Sequence, residues 1–177
     1  MIVVKLTMFN CKSLLFLFRN GVMYMSRKYE NEFNGVIKSG IKSLKNNVEK
    51  LTSKMSLDPI FTMDKEDLKI YAKCNSMLFD FSGYTKFNYA LKAIDACEKY
   101  LAIDISDKEM QRAYISMLEN IGNIKEAYSC VKAWHNNEVT KDTAEAFLGS
   151  GINRYSEFMT TEEREKFDCL YSPASCY

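Results

Sequence analysis

Residues 87–134, FNYALKAIDACEKYLAIDISDKEMQRAYISMLENIGNIKEAYSCVKAW, decide the fold. Apolar residues recur at helical spacing: Phe87, Ala90, Leu91, Ile94, Cys97 and Leu101, then Met110, Ala113, Tyr114, Met117, Leu118 and Ile121, then Ala127, Tyr128, Val131 and Trp134. Start and stop signals separate the three runs. Thr85 reads as the first cap. Ser106-Asp107-Lys108-Glu109 reads as a capping box with Ile105 and Met110 as a hydrophobic staple. Gly122 ends the second run and Asn123 caps the third, so the last two helices must fold back as a hairpin.

Composition agrees. The 177 residues suit one domain able to bury a core. Seven Gly and two Pro are few for a β-rich fold. The expected fold is all-α, an array of antiparallel helical hairpins with six to seven helices. Net charge is +1, but residues 26–56 hold seven Lys/Arg against three Glu, whereas residues 57–177 hold 14 against 20 acidic residues. Six cysteines at 11, 74, 97, 130, 169 and 176 form no CxxC pair. With one His they argue against zinc and for reduced core thiols in a cytoplasmic protein.

Upstream, residues 1–25 are unlike the rest. The apolar core 13–18 is bracketed by Lys12 and Arg19, lacks a cleavage signal, and is too short to span a bilayer. Arg19-Asn20-Gly21-Val22 is encodable by a purine-rich run resembling a bacterial ribosome-binding site, so one reading starts the protein at Met23 or Met25.

In residues 27–56, Ile37, Ile41, Leu44, Val48, Leu51 and Met55 make one apolar seam, an amphipathic helix placed as its own unit over 26–58. Lys38, Lys42, Lys45, Lys50 and Lys54 occupy its other faces. The seam fits docking on the parent domain or a homodimer contact; the lysines fit a solvated face or, less well, nucleic acid, since no aromatics interleave. Residues 57–62 are the linker. The domain 62–172 then begins with a helix capped by Asp64, stapled by Met63 and Leu68, and stopped by Gly83; its apolar side is Leu68, Tyr71, Ala72, Leu78, Phe79 and Phe81.

Further on, Thr140 caps a helix through Ala144, Phe147, Leu148, Ile152, Tyr155 and Phe158, with Gly149-Ser150-Gly151 as a kink or close crossing rather than a phosphate loop. Thr160-Thr161-Glu162-Glu163 is a second capping box opening the last helix, and 172–177 is a frayed end.

Leu118-x-x-Ile121-Gly122-x-Ile124-x-x-Ala127 resembles the helix–turn–helix junction of a tetratricopeptide repeat. Ala93 lies 34 residues before Ala127, the period of that repeat, which aligns Cys97 with Val131 and Tyr100 with Trp134. Asn88 in place of Gly and Ile105 in place of Pro depart from the pattern, and the resemblance covers about residues 64–141. It implies a stack of hairpins that grips a peptide, as in adaptors and the type III secretion translocator chaperones.

Nothing in the chain assembles a nucleophile, base and oxyanion donor, a phosphate loop or a metal set. His135 sits at an expected helix end, and Glu66/Asp67 and Glu162/Glu163 sit in first turns, where the helix dipole accounts for them. The expectation is a non-enzymatic protein without cofactor or metal. It would bind a peptide or helix in a groove lined by Tyr71, Tyr89, Tyr100, Tyr114 and Trp134. The alternative is a nucleic-acid-associated regulator using the basic helix.

Overall fold

The computed structural model describes residues 29–138, 140 and 154–171. Among these it contains seven α-helices, one 3-10 turn and no strand. The helices are α1 (Glu30–Lys38), α2 (Ile41–Met55), α3 (Lys65–Phe81), α4 (Phe87–Ile103), α5 (Lys108–Asn120), α6 (Ile124–Trp134) and α7 (Thr161–Tyr171). Each helix from α1 to α6 packs on the next, and α3 also touches both α1 and α5. The chain is an all-α array in which the first helices of three successive hairpins stand side by side.

The centre of this array is α3. Asp64 caps it, its carboxylate accepting the Asp67 N–H at 2.8 Å. Leu68, Ile70, Tyr71, Ala72, Cys74, Asn75, Leu78 and Phe79 are all buried, because α2, α4, α1 and α5 surround the helix on most sides. Each large apolar side chain so buried contributes about 1.5–3 kcal/mol, which makes α3 the main source of cohesion. Phe81, expected on the buried side, is exposed at the helix end.

Three helices end in the same way. After α3, Tyr84 N–H donates to the Phe79 carbonyl at 3.2 Å and Gly83 N–H to that of Asp80 at 2.9 Å, with Gly83 at φ +63°. This is a Schellman end, and its apolar contact is Tyr84 edge-on to Phe79 at 5.3 Å. After α5, Asn123 and Gly122 (φ +83°) bond back to Leu118 and Glu119 in the same pattern. After α6, Asn136 and Asn137 take the left-handed positions.

The capping boxes divide. Thr160 and Glu163 exchange bonds as the sequence predicts: Glu163 N–H to Thr160 Oγ1 at 3.2 Å, Thr160 N–H to Glu163 Oε2 at 2.8 Å. At α5 the cap is Asp107 rather than Ser106. Asp107 accepts from the N–H groups of Glu109 and Met110, Ser106 Oγ turns back to Asp104, and Glu109 is drawn away by two lysines. Ile105 of the expected staple is exposed. Thr85 does not cap α4: its hydroxyl donates to the Ser82 carbonyl, while Ser82 Oγ accepts the Lys86 N–H. Asn123 makes no side-chain bond to the backbone of α6 and pairs with Glu126 instead.

The single helix expected over 27–56 is two. Ser39 is extended (ψ 134°), its hydroxyl donates to the Val36 carbonyl at 2.6 Å, and Asn47 Nδ2 holds that hydroxyl at 2.9 Å from the next helix. The chain turns there, leaving Ile37 half exposed, while Val48, Leu51 and Met55 are buried against α3. The basic stretch is therefore the first hairpin of the array, not a separate unit. Segment 1–25, the Gly149-Ser150-Gly151 stretch and residues 172–177 lie outside the described residues. Of the helix expected from Thr140, residues 154–159 form turns.

Candidate interaction surfaces

Helix α3 presents Lys65, Lys69 and Lys73 one turn apart toward the start of α5. Lys65 meets Asp104 at 2.6 Å, Lys69 meets Asp107 at 2.8 Å and Glu109 at 2.9 Å, and Lys73 meets Glu109 at 2.7 Å. Tyr100 lies beneath, its hydroxyl donating to Asp107 at 2.6 Å, with the ammonium groups of Lys65 and Lys69 over its ring. The bond from Lys65, then those from Ser106, hold Asp104 at about 2. Lys69 and then Tyr100 hold Asp107 well below the carboxylate range. These charges satisfy one another, so the ladder is a clamp between α3 and α5.

The five aromatic residues expected to line a groove are not brought together. Tyr71 is buried between α3 and the end of α2, its hydroxyl 3.1 Å from Ser56 Oγ. Tyr100 is buried in the clamp. Tyr114 is buried with its hydroxyl donating to Glu98 at 2.9 Å. Burial, then the Glu98 bond, pushes its phenol pKa up. Trp134 is half-buried against Tyr114, with ring centres 6.1 Å apart, and Tyr89 is half-buried near Lys86. Three of the five are interior, which removes them from any docking surface.

A similar correction applies to the basic residues. Lys38, Lys42, Lys45, Lys50 and Lys54 are all exposed. At 100° per residue Lys42 and Lys45 fall on one side of the buried Val48, and Lys50 and Lys54 on the other. Lys54 pairs with Glu32 and lies over the Tyr29 ring. The lysines thus surround α2 without forming one stripe. The apolar seam offered for a homodimer is already consumed inside the chain.

Thiols and carboxylates follow structural roles. Cys74, Cys97 and Cys130 are free, and burial pushes Cys74 and Cys97 up to about 12, far from thiolate chemistry. Cys169 is disulfide-bonded, against the expectation of reduced thiols throughout. Burial alone would raise Glu163, yet Lys132, the Thr160 N–H and Tyr128 hold it at about 2. Its carboxylate ties α7 to α6 through Tyr128, whose hydroxyl donates at 2.7 Å. His135 closes α6, its N–H bonded to the Lys132 carbonyl. Among the described residues no group of three or more His, Cys, Asp or Glu is placed to hold a metal, and no helix is long and apolar enough to cross a membrane.

What sequence reading missed lies at the α3–α4 turn. Phe87 and Leu91 were expected to face inward but are 52% and 58% exposed, and Tyr84 is 52% exposed. The reason is α4's other residues. Ala90, Ala93, Ala96 and Cys97 are the buried ones, since small side chains let α4 approach α3 and α5 closely. The larger Phe87 and Leu91 are displaced to the flank. Phe79 supports them from below, fully buried, with ring centres 5.3 Å from Tyr84 and 5.9 Å from Phe87. At the other end of α3, Leu57 and Phe61 are 82% and 80% exposed. An open polar depression of about 540 Å³ is lined by Glu119, Asn120, Ile124, Arg154, Ser156 and Glu157. Comparison with known proteins finds no matching family, curated relative or solved structure.

Proposed function

We propose that this chain is a non-enzymatic protein-interaction module, a cytoplasmic adaptor or chaperone of tetratricopeptide-like design that holds a peptide or helix of another protein. The observation that carries the reading is the exposed strip Tyr84–Phe87–Leu91 mounted on the buried Phe79. Aromatic and large aliphatic side chains left in water are the residues that anchor protein interfaces. The stack of hairpins supplies a rigid base for them, and the paired clamp between α3 and α5 fixes its curvature. The docking surface is thus placed at a hairpin turn and not in the aromatic groove that the sequence suggested.

The alternative, a nucleic-acid-associated regulator, draws support from the exposed Lys38, Lys42, Lys45 and Lys50. One experiment separates the two. The full chain is used as bait in cells of its source, and recovered partners are identified by mass spectrometry and nucleic-acid sequencing across a salt series. A protein partner kept at high salt and lost from Phe87→Ser/Leu91→Ser supports the module. Nucleic acid released steeply by salt, and lost from Lys42→Glu/Lys45→Glu/Lys50→Glu, overturns it. Removing residues 1–56 is not a usable test, since Val48 and Met55 belong to the core.

A further inference from the structure

We infer that the α3–α4 turn is a docking site for an acidic amphipathic helix of a partner protein; this rests on the module reading above and names the partner's chemistry. Three observations converge. The strip is laid out for a helix: Phe87 and Leu91 stand one turn apart on α4, about 6 Å along its axis, and Tyr84 and Phe87 flank the same buried ring. An incoming helix presents apolar residues at that repeat on one face. The charge around the strip is one-sided. Residues 81–94 contain Lys86 and Lys92 and no Asp or Glu, and both lysines are exposed. The nearest carboxylate, Asp80, interacts with the Tyr84 hydroxyl. Finally, the turn is held in place. Tyr84 sits at φ +62°, a conformation that bulky residues rarely adopt, following Gly83 at φ +63°. The Schellman bonds and the Phe79 contact fix it there, so the strip does not have to be ordered on binding.

An anionic bilayer is the competing surface. Recognition of anionic lipid draws on clusters of about four to eight Lys/Arg, and the strip has two. The favoured occupant is therefore a helix with Leu-type anchors flanked by Glu or Asp, whose carboxylates meet Lys86 and Lys92.

The test uses the full chain and three probes: a synthetic amphipathic helical peptide with Leu anchors and Glu flanks, the same peptide with Lys for Glu, and phosphatidylcholine/phosphatidylserine vesicles. The expected result is binding of the Glu peptide at least about 10-fold tighter than the Lys peptide. Phe87→Ser/Leu91→Ser lowers that affinity by at least about 10-fold, and Lys86→Glu/Lys92→Glu inverts the preference. The exposed-residue control Leu57→Ser/Phe61→Ser leaves it unchanged, and circular dichroism checks that each variant is folded. Equal binding of both peptides, binding to vesicles in place of peptides, or no binding of any probe overturns the proposal. Loss on the Leu57/Phe61 variant alone also overturns it, while leaving the broader module reading intact.

Discussion

Replacing Asp107 by Ala removes more bonds than any other single truncation in the α3–α5 clamp. Its carboxylate accepts the N–H groups of Glu109 and Met110 at 3.0 and 3.2 Å, the Tyr100 hydroxyl at 2.6 Å and the Lys69 ammonium at 2.8 Å. Loss of the cap costs about 1 kcal/mol. The Tyr100 side chain is almost wholly buried, so its orphaned hydroxyl costs about 1–3 kcal/mol. Lys69 keeps Glu109 at 2.9 Å, so the ion pair itself adds about 1 kcal/mol or less. The expected loss is about 3 kcal/mol, or roughly 6–12 °C in Tm for a chain of this size. Asp107→Asn keeps the cap and an acceptor for Tyr100 and forfeits only charge, so it costs about 1 kcal/mol. Urea unfolding followed by far-ultraviolet circular dichroism, with the slope shared between variants, measures both. Equal losses for Ala and Asn, or an Ala loss under about 1 kcal/mol, would refute the claim that Asp107 joins α3, α4 and α5 by hydrogen bonding.

Acid should weaken the fold in a defined direction. Lys65 holds Asp104 and Lys132 helps hold Glu163 at about 2, and Asp107 and Glu109 are also lowered. Their contribution is complete above the unfolded carboxylate value near 4 and is lost as pH falls toward about 2; unfolding midpoints that rise on acidification contradict this. Gly122→Ala places a side chain at φ +83° with open space around it, so the penalty is backbone strain alone, about 1–2 kcal/mol, whereas Gly40→Ala at φ −55° costs almost nothing. Comparable losses at both glycines would count against that assignment. In the native chain a thiol reagent labels the partly exposed Cys130 well before Cys74 or Cys97, and early labelling of Cys74 would show that α3 is not the sealed centre described. Phe87→Ser/Leu91→Ser shifts the unfolding free energy by no more than about 0.5 kcal/mol, because both side chains already face water; a large loss would mean that they are packed.

Local chemistry was the most legible part of this sequence. Asp64, Gly83, Gly122 and the Thr160/Glu163 box act where their residue types point, because caps and left-handed ends depend on neighbours a few positions away. The Ser106 box failed for an equally local reason: Asp107 stands beside Ser106 and is the stronger acceptor once Lys69 and Tyr100 arrive from two other helices. The break at Ser39–Gly40 stayed hidden because the apolar spacing runs on across it. Only the bond from Asn47 back to Ser39 shows that the chain has turned. The centre was misplaced for the same reason. Residues 87–134 carry clean periodicity, but α3 is buried on several sides, and a helix surrounded by neighbours shows a blurred apolar face.

Side-chain size separates core from surface in this array more sharply than hydropathy does. Tyr71, Tyr100 and Tyr114 are interior because each hydroxyl finds a partner there: Ser56, Asp107 and Glu98 respectively. A tyrosine with its oxygen satisfied buries a ring at little cost. Leu91 and Phe87 carry no polar atom and still face water, because α4 meets α3 through Ala90, Ala93 and Ala96 and has no room for a larger residue on that side. Enlarging Ala93 to Leu would therefore push α4 outward and cost about 1–3 kcal/mol through overpacking, while enlarging exposed Ala102 would not. The apolar side chains that the core excludes are the ones left free to meet a partner, and that exclusion ties the packing of α4 to the interaction surface beside it.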